Sequence, residues 1–136
     1  MLLAKRNQLE PQKRKEKGLH VQTRLIKTKI WQKAETIMLY ASFQSEVETH
    51  VLILKALDKK KYVLLPRLNT HKEIIPYSIQ DPNFDLAPGY ADILEPLPER
   101  CMVWDVDNID LIIIPGCGFD LKGGRLGYGF GCLIDF

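Results

Sequence analysis

The apolar positions of this chain change their period several times, and each change marks a predicted element. From Pro11 to Lys33 apolar residues are sparse, with Leu19, Ile26 and Ile30 on a roughly helical period behind a proline suited to a first helical position. The pattern predicts one helix over 11–33, weakened at Gly18 by about 1 kcal/mol relative to alanine. Thr36 to Ser42 is a compact apolar run that predicts a first strand, with residues 43–46 as the loop at its carboxyl end. Val51, Leu52, Leu54 and Leu57 predict a short helix over about 48–59, closed by Lys59, Lys60 and Lys61 as a cationic last turn that suits the helix dipole.

Tyr62 to Pro66 then predicts a second strand, so strand, helix and strand follow one another with short connections. A right-handed βαβ unit is expected. Residues 73–79 predict a further strand, antiparallel and at an edge because Pro76 interrupts it. Pro82, Pro88, Pro96 and Pro98 make regular structure sparse over 80–99, a segment expected to wrap the sheet edge. Leu111 to Ile114 are four successive large apolar residues without alternation, which suits a parallel strand covered on both faces. The fold class implied is α/β, a three-layer α/β/α arrangement with a mostly parallel, Rossmann-like open sheet.

Seven of the nine glycines fall between Gly116 and Gly131, directly after that last strand. Glycine tolerates φ > 0 and lets several amides converge on one anion, and ligands of open α/β sheets sit beyond the carboxyl ends of the strands. Arg125 adds a guanidinium that can fork onto phosphate oxygens. The run is therefore a candidate phosphate loop, the alternative being a flexible surface loop or a pair of tight turns.

The chain has 136 residues, 46% hydrophobic and 26% charged, which suits one globular domain over 1–136 rather than a disordered chain. No apolar stretch reaches the roughly 18 residues needed to span a bilayer, and the N-terminus lacks a signal-peptide core. No membrane association is expected, and the cytoplasm is the expected location. Cys101, Cys117 and Cys132 are odd in number and widely spaced, so they read as reduced structural thiols rather than a disulfide framework or zinc site. Although the net charge is only +2, residues 1–33 carry ten bases and two acids, while the remainder carries nine bases and fifteen acids. This basic arm reads as a solvated helix face. A nucleic-acid partner is not expected, because no aromatic residues interleave with the cluster as stacking platforms.

Taken in order, several short runs resemble the 5-formyltetrahydrofolate cyclo-ligase (methenyltetrahydrofolate synthetase) family. They are Arg6 to Leu9 (RNQL), Ile37 to Tyr40 (IMLY), Ser45 to Thr49 (SEVET), Tyr62 to Arg67 (YVLLPR), Ile93 to Pro96 (ILEP), Pro115 to Asp120 (PGCGFD) and Arg125 to Gly131 (RLGYGFG). The resemblance covers nearly the whole chain, and its most specific parts are the last two runs at their separation. It implies a magnesium- and ATP-dependent ligase that converts 5-formyltetrahydrofolate into 5,10-methenyltetrahydrofolate, ADP and phosphate, by phosphorylation of the formyl oxygen and attack of a neighbouring folate nitrogen. Phosphoryl transfer of this kind depends on positioning and charge neutralisation more than on a protein nucleophile.

Carried over by position, the resemblance implies that Arg125, Leu126, Gly127, Tyr128, Gly129, Phe130 and Gly131 hold ATP, with Arg125 and Tyr128 in the catalytic role. It implies a folate site at Phe43, Glu48, Tyr128 and Gly129. Read from the residues alone, Glu48 would be a first-turn helix acid, Phe43 a core residue, and Asp120 either an organiser of the loop or the end of a turn. The sequence departs from the family where a Gly-Tyr-Tyr-Asp continuation is expected: Ile134 stands at the magnesium-binding acid position, which leaves Asp135, one residue later, as the candidate ligand. Family lysine and arginine residues that reach the ATP phosphates would precede Met1, with Lys5, Arg6 or the Lys13 to Lys17 cluster as substitutes, and a further segment would follow Phe136. The chain is thus expected to be a family member shortened at both ends and monomeric. Two further readings are a catalytically impaired form that retains nucleotide or folate binding, and a nucleic-acid module built on the basic arm.

Overall fold

A computed structural model describes residues 2–127. Among the described residues five strands form the central sheet: β1 (Thr36–Met38), β2 (Tyr62–Leu68), β3 (Ile74–Ile79), β6 (Met102–Val103) and β7 (Leu111–Ile112), in the order β6-β3-β2-β1-β7. Here β1 pairs in parallel with both β2 and β7, while β3 is antiparallel to β2 and β6 antiparallel to β3. Four strands therefore point one way and β3 is reversed, an α/β fold with a mostly parallel sheet.

The reason for the sheet's position is legible in its register. Ile37 pairs with Val63 and Met38 with Leu64, so the two pairs face opposite sides, and all four residues are buried. A sheet buried on both faces is the middle of three layers. On the Ile37 side the core gathers Trp31, Leu39, Leu52, Ile53, Ala56, Val63, Leu65 and Ile79. Helix α4 (His50–Asp58) connects β1 to β2 and supplies Leu52, Ile53 and Ala56 to this core, as expected of a βαβ crossover.

Several expected boundaries differ. The helix expected over 11–33 is two helices, α2 (Pro11–Ile26) and α3 (Lys29–Lys33), because Thr28 takes an extended conformation and its Oγ1 accepts from the Trp31 amide at 3.2 Å. The break turns Trp31 into the core. Lys61, expected to serve the α4 dipole, instead donates its Nζ to the carbonyls of Gln32 and Ala34 at 3.1 and 2.6 Å, which satisfies the end of α3. A seven-residue helix, α1 (Leu2–Gln8), precedes the first expected one.

Strand β3 is antiparallel as expected but does not lie at the edge, since β6 covers it. The ladder accommodates the proline because Pro76 faces Pro66 across β2 and β3, while its carbonyl, on the other side, accepts from the Trp104 amide at 2.9 Å. Residues 80–99 hold a one-turn helix, α5 (Pro82–Asp85), and a small ribbon of β4 (Leu86–Pro88) and β5 (Leu94–Pro96) that packs on β2 and β3. Strand β7 is the other departure. Among the described residues it pairs with β1 alone, and Ile112 and Ile114 are each 41% exposed rather than covered on both faces.

Candidate active site at the carboxyl ends of the parallel strands

Because β1, β2 and β7 are parallel, their following loops leave the sheet on one side. The loop after β1, residues 39–49, is fixed largely by hydroxyl groups. Thr49 is 1% exposed, and its Oγ1 donates to Tyr40 O at 2.5 Å and accepts from Ser42 N at 3.2 Å, while Ser42 Oγ accepts from Thr49 N at 3.2 Å. The Tyr40 hydroxyl donates to Val47 O at 3.0 Å, and Phe43 N donates to the Glu46 carboxylate at 2.8 Å. This mutual bonding replaces the ladder that the expected longer strand would have had, so β1 stops at Met38.

On this loop Phe43 is half-buried and stands outside the packed core, and Glu48 is exposed. Glu48 lies ahead of α4 rather than in its first turn, which Thr49 precedes as the capping position. Its backbone carbonyl accepts from Gln22 Nε2 of α2 at 2.8 Å. Gly18, one turn earlier on α2, lies against Val47.

After β7 the glycine run folds back as a hairpin of β8 (Gly118–Phe119) and β9 (Arg125–Leu126). Asp120 organises its turn: its Oδ1 accepts from the amides of Lys122 and Gly124 at 2.8 and 2.6 Å. Both alternatives for this residue thus meet in one geometry. Gly123 has φ +89°, and a Cβ on Gly124 would collide with the Asp120 carboxylate, so these two positions need glycine for different reasons. The Cys117 amide goes to Leu126 O at 2.7 Å. In the first half of the run the convergent amides therefore bind the protein's own carboxylate, and the phosphate-loop reading rests on its second half. Arg125 Nη1 donates to Pro115 O at 2.8 Å, which holds the guanidinium over the end of the β7 segment. Tyr128, Gly129, Phe130, Gly131 and Asp135 lie outside the described residues.

Helix α1 joins the two loops, a role that no apolar period in the sequence signals. Arg6 Nε donates to Ser45 Oγ at 2.9 Å, and Ser45 Oγ also bonds Asn7. At the other end of α1, Leu2 covers Gly118 so closely that a Cβ there would meet it. Arg6 is thus engaged with the loop that carries Phe43 and Glu48. At the end of β2, Arg67 Nη1 donates to Pro96 O at 3.1 Å, and the buried Glu95 accepts from Leu68 N at 2.9 Å, so the YVLLPR and ILEP runs hold each other.

Cys101 is not disposed as a nucleophile. Burial, aided by the Asp85 charge, pushes the Cys101 thiol up, which keeps it protonated. Among the described residues no three His, Cys, Asp or Glu side chains come together as a metal cluster. Nor is any described helix long and apolar enough to cross a membrane.

The family model for 5-formyltetrahydrofolate cyclo-ligases matches residues 1–133. The chain belongs to the 5-formyltetrahydrofolate cyclo-ligase family. It is similar to the mouse 5-formyltetrahydrofolate cyclo-ligase, 28% identical over 90% of this chain and 63% of that protein, and to the Escherichia coli K12 enzyme of the same name, 29% identical over 96% of this chain and 72% of that protein. The NMR structure of Aquifex aeolicus 5,10-methenyltetrahydrofolate synthetase superposes with a TM-score of 0.86 at 30% identity, covering 98% of this chain and 66% of that one. The chain spans about half to three quarters of the length of these family members and of the Schizosaccharomyces pombe relative, of which it covers 50%.

Proposed function

We propose that this chain acts as a 5-formyltetrahydrofolate cyclo-ligase, closing 5-formyltetrahydrofolate to 5,10-methenyltetrahydrofolate at the expense of ATP. The observation that supports this reading most is the adjacency of the two loops. The Phe43/Glu48 loop and the Arg125 hairpin follow neighbouring parallel strands, and α1 ties one to the other. A bound folate and a bound nucleotide would then meet across this edge of the sheet.

In this reading Glu48 accepts paired hydrogen bonds from the amino-pyrimidine edge of the folate, and Phe43 packs against its ring. Arg125, with the following Leu126, Gly127, Tyr128, Gly129, Phe130 and Gly131, holds the phosphates, and Tyr128 and Gly129 also face the folate. The guanidinium carries five N–H donors in a fixed fork, of which one anchors it to Pro115 O, so the group is oriented before any ligand arrives. ATP, with magnesium, would supply the phosphoryl group that turns the formyl oxygen into a leaving group. Asp135 is the candidate magnesium ligand. The protein is read as a cytoplasmic monomer with one domain.

The test is direct. Incubation with magnesium, ATP and 5-formyltetrahydrofolate should raise the near-ultraviolet absorbance of the methenyl product, and Arg125→Ala should lower the rate on the order of 100-fold by removing charge stabilisation of the transferring phosphoryl group. Absence of product at high protein concentration would refute the proposed activity.

A further inference from the structure

We infer that Gln22, on α2, is a positioning residue for folate recognition: its carboxamide N–H fixes the loop–helix junction from which the Glu48 carboxylate projects. This rests on the proposed role of Glu48 as a folate contact. Gln22 is only 6% exposed, and it lies 26 residues from Glu48 in sequence. Its Nε2 donates to Glu48 O at 2.8 Å, whereas its Oε1 is buried without a partner among the described residues. The orientation of the amide is set by this contact, because the reverse would place two carbonyl-type oxygens against each other.

Stability alone gives little reason for such a residue over an apolar one. A buried amide with one half unpaired carries a cost that a methionine of similar size and shape would avoid at position 22, so the two are close in stability once the bond lost at Glu48 O is counted. What a hydrocarbon cannot provide is the N–H on Glu48 O. That bond matters because the peptide between Glu48 and Thr49 is held from two sides. Thr49 is bonded to Tyr40 and Ser42 of its own loop, and for that reason its hydroxyl does not cap α4. Gln22 grips the same peptide from α2. The backbone is thereby fixed while the Glu48 side chain stays exposed to meet a ligand.

The experiment uses the full chain and two substitutions, Gln22→Met and Gln22→Glu, with calorimetric titration of 5-formyltetrahydrofolate and, separately, of magnesium-ATP. Gln22→Met should melt within about 4 °C of the unsubstituted protein and bind the folate roughly five- to tenfold more weakly, the effect of one hydrogen bond, with ATP affinity unchanged. Gln22→Glu preserves the shape but presents an oxygen to Glu48 O, so its folate affinity should fall further than that of Gln22→Met. Three results would overturn the inference: folate affinity in both variants equal to the unsubstituted protein, an equal loss of ATP affinity, or a melting temperature of Gln22→Met lowered by more than about 10 °C, which would make Gln22 a structural residue. If the unsubstituted protein binds no folate, the role of Glu48 itself fails, and the inference goes with it. That arm separates the two failures.

Discussion

Single buried polar atoms decide much of the local geometry. Thr49 joins Tyr40 O and Ser42 N through one hydroxyl, and a valine there would keep the volume while leaving a buried carbonyl and an amide without that partner. Thr49→Val should cost about 2 kcal/mol, measured by denaturant unfolding, with the midpoint lowered and the slope unchanged; a midpoint within error of the parent would contradict the account of the loop. Asp85 gives a pH prediction. Its burial pushes the carboxyl up, but amide bonds from Asp81 and Gln80, with the charge of Arg100, outweigh that and hold it below its ordinary value of 3.8. A carboxyl whose pKa is lower in the folded than in the unfolded chain adds stability that is present above the unfolded value and is lost as pH falls through the folded one. Asp85→Asn should therefore flatten the acid limb of stability below about pH 4, and thermal melts of both proteins between pH 6 and 3 would check it. An unchanged limb would show that Asp85 is not the group being titrated.

At the scale of elements, what the sequence revealed depended on whether an element's determinants are local. The runs 36–42 and 62–66 are read as adjacent strands because burial on both faces leaves an uninterrupted apolar stretch, and the sheet indeed carries them side by side in parallel. The end of β1 was not legible, because it is set by Thr49 eleven residues beyond Met38 in the chain, where a hydroxyl takes the loop's polar groups. Similarly, the edge position expected for β3 followed from Pro76 alone, whereas Pro66 opposite it lets the ladder pass. The composition of the glycine run suggests a phosphate cradle or, alternatively, a pair of tight turns. Its first half takes the turn form, since Asp120, placed four residues before Gly124, captures the amides. The break in the helix over 11–33 turns on Thr28, whose capping ability is visible in sequence only once Trp31 is known to turn inward. Thr28→Ala should cost about 1 kcal/mol through loss of the N-cap, read as a lower melting temperature, and Thr28→Ser should restore most of it. Equal melting of all three proteins would mean that the α2–α3 break does not depend on this cap.

At the scale of the molecule, the two candidate ligand loops are not independent bodies, and this has a thermodynamic consequence. A ligand that binds only the folded chain stabilises it by about 2.7 kcal/mol at a concentration 100 times its dissociation constant, so folate and nucleotide should each raise the melting temperature if each binds. Helix α1 touches both loops, through Leu2 on Gly118 and through Arg6 and Asn7 on Ser45, so ordering one loop presents an ordered α1 to the other. The second ligand then meets a partly organised site, and linkage requires the benefit to be equal in both directions. The expected result is that ATP tightens folate binding by the same factor as folate tightens ATP binding, on the order of fivefold. Ser45→Ala removes the contact between α1 and the loop without touching either proposed ligand-binding residue, and should leave both ligands able to bind while reducing that factor toward one. Titration of each ligand with and without the other, in the parent and in Ser45→Ala, measures all four affinities in each protein. A coupling factor that survives the substitution would show that the communication runs through the sheet between β1 and β7 and not through α1.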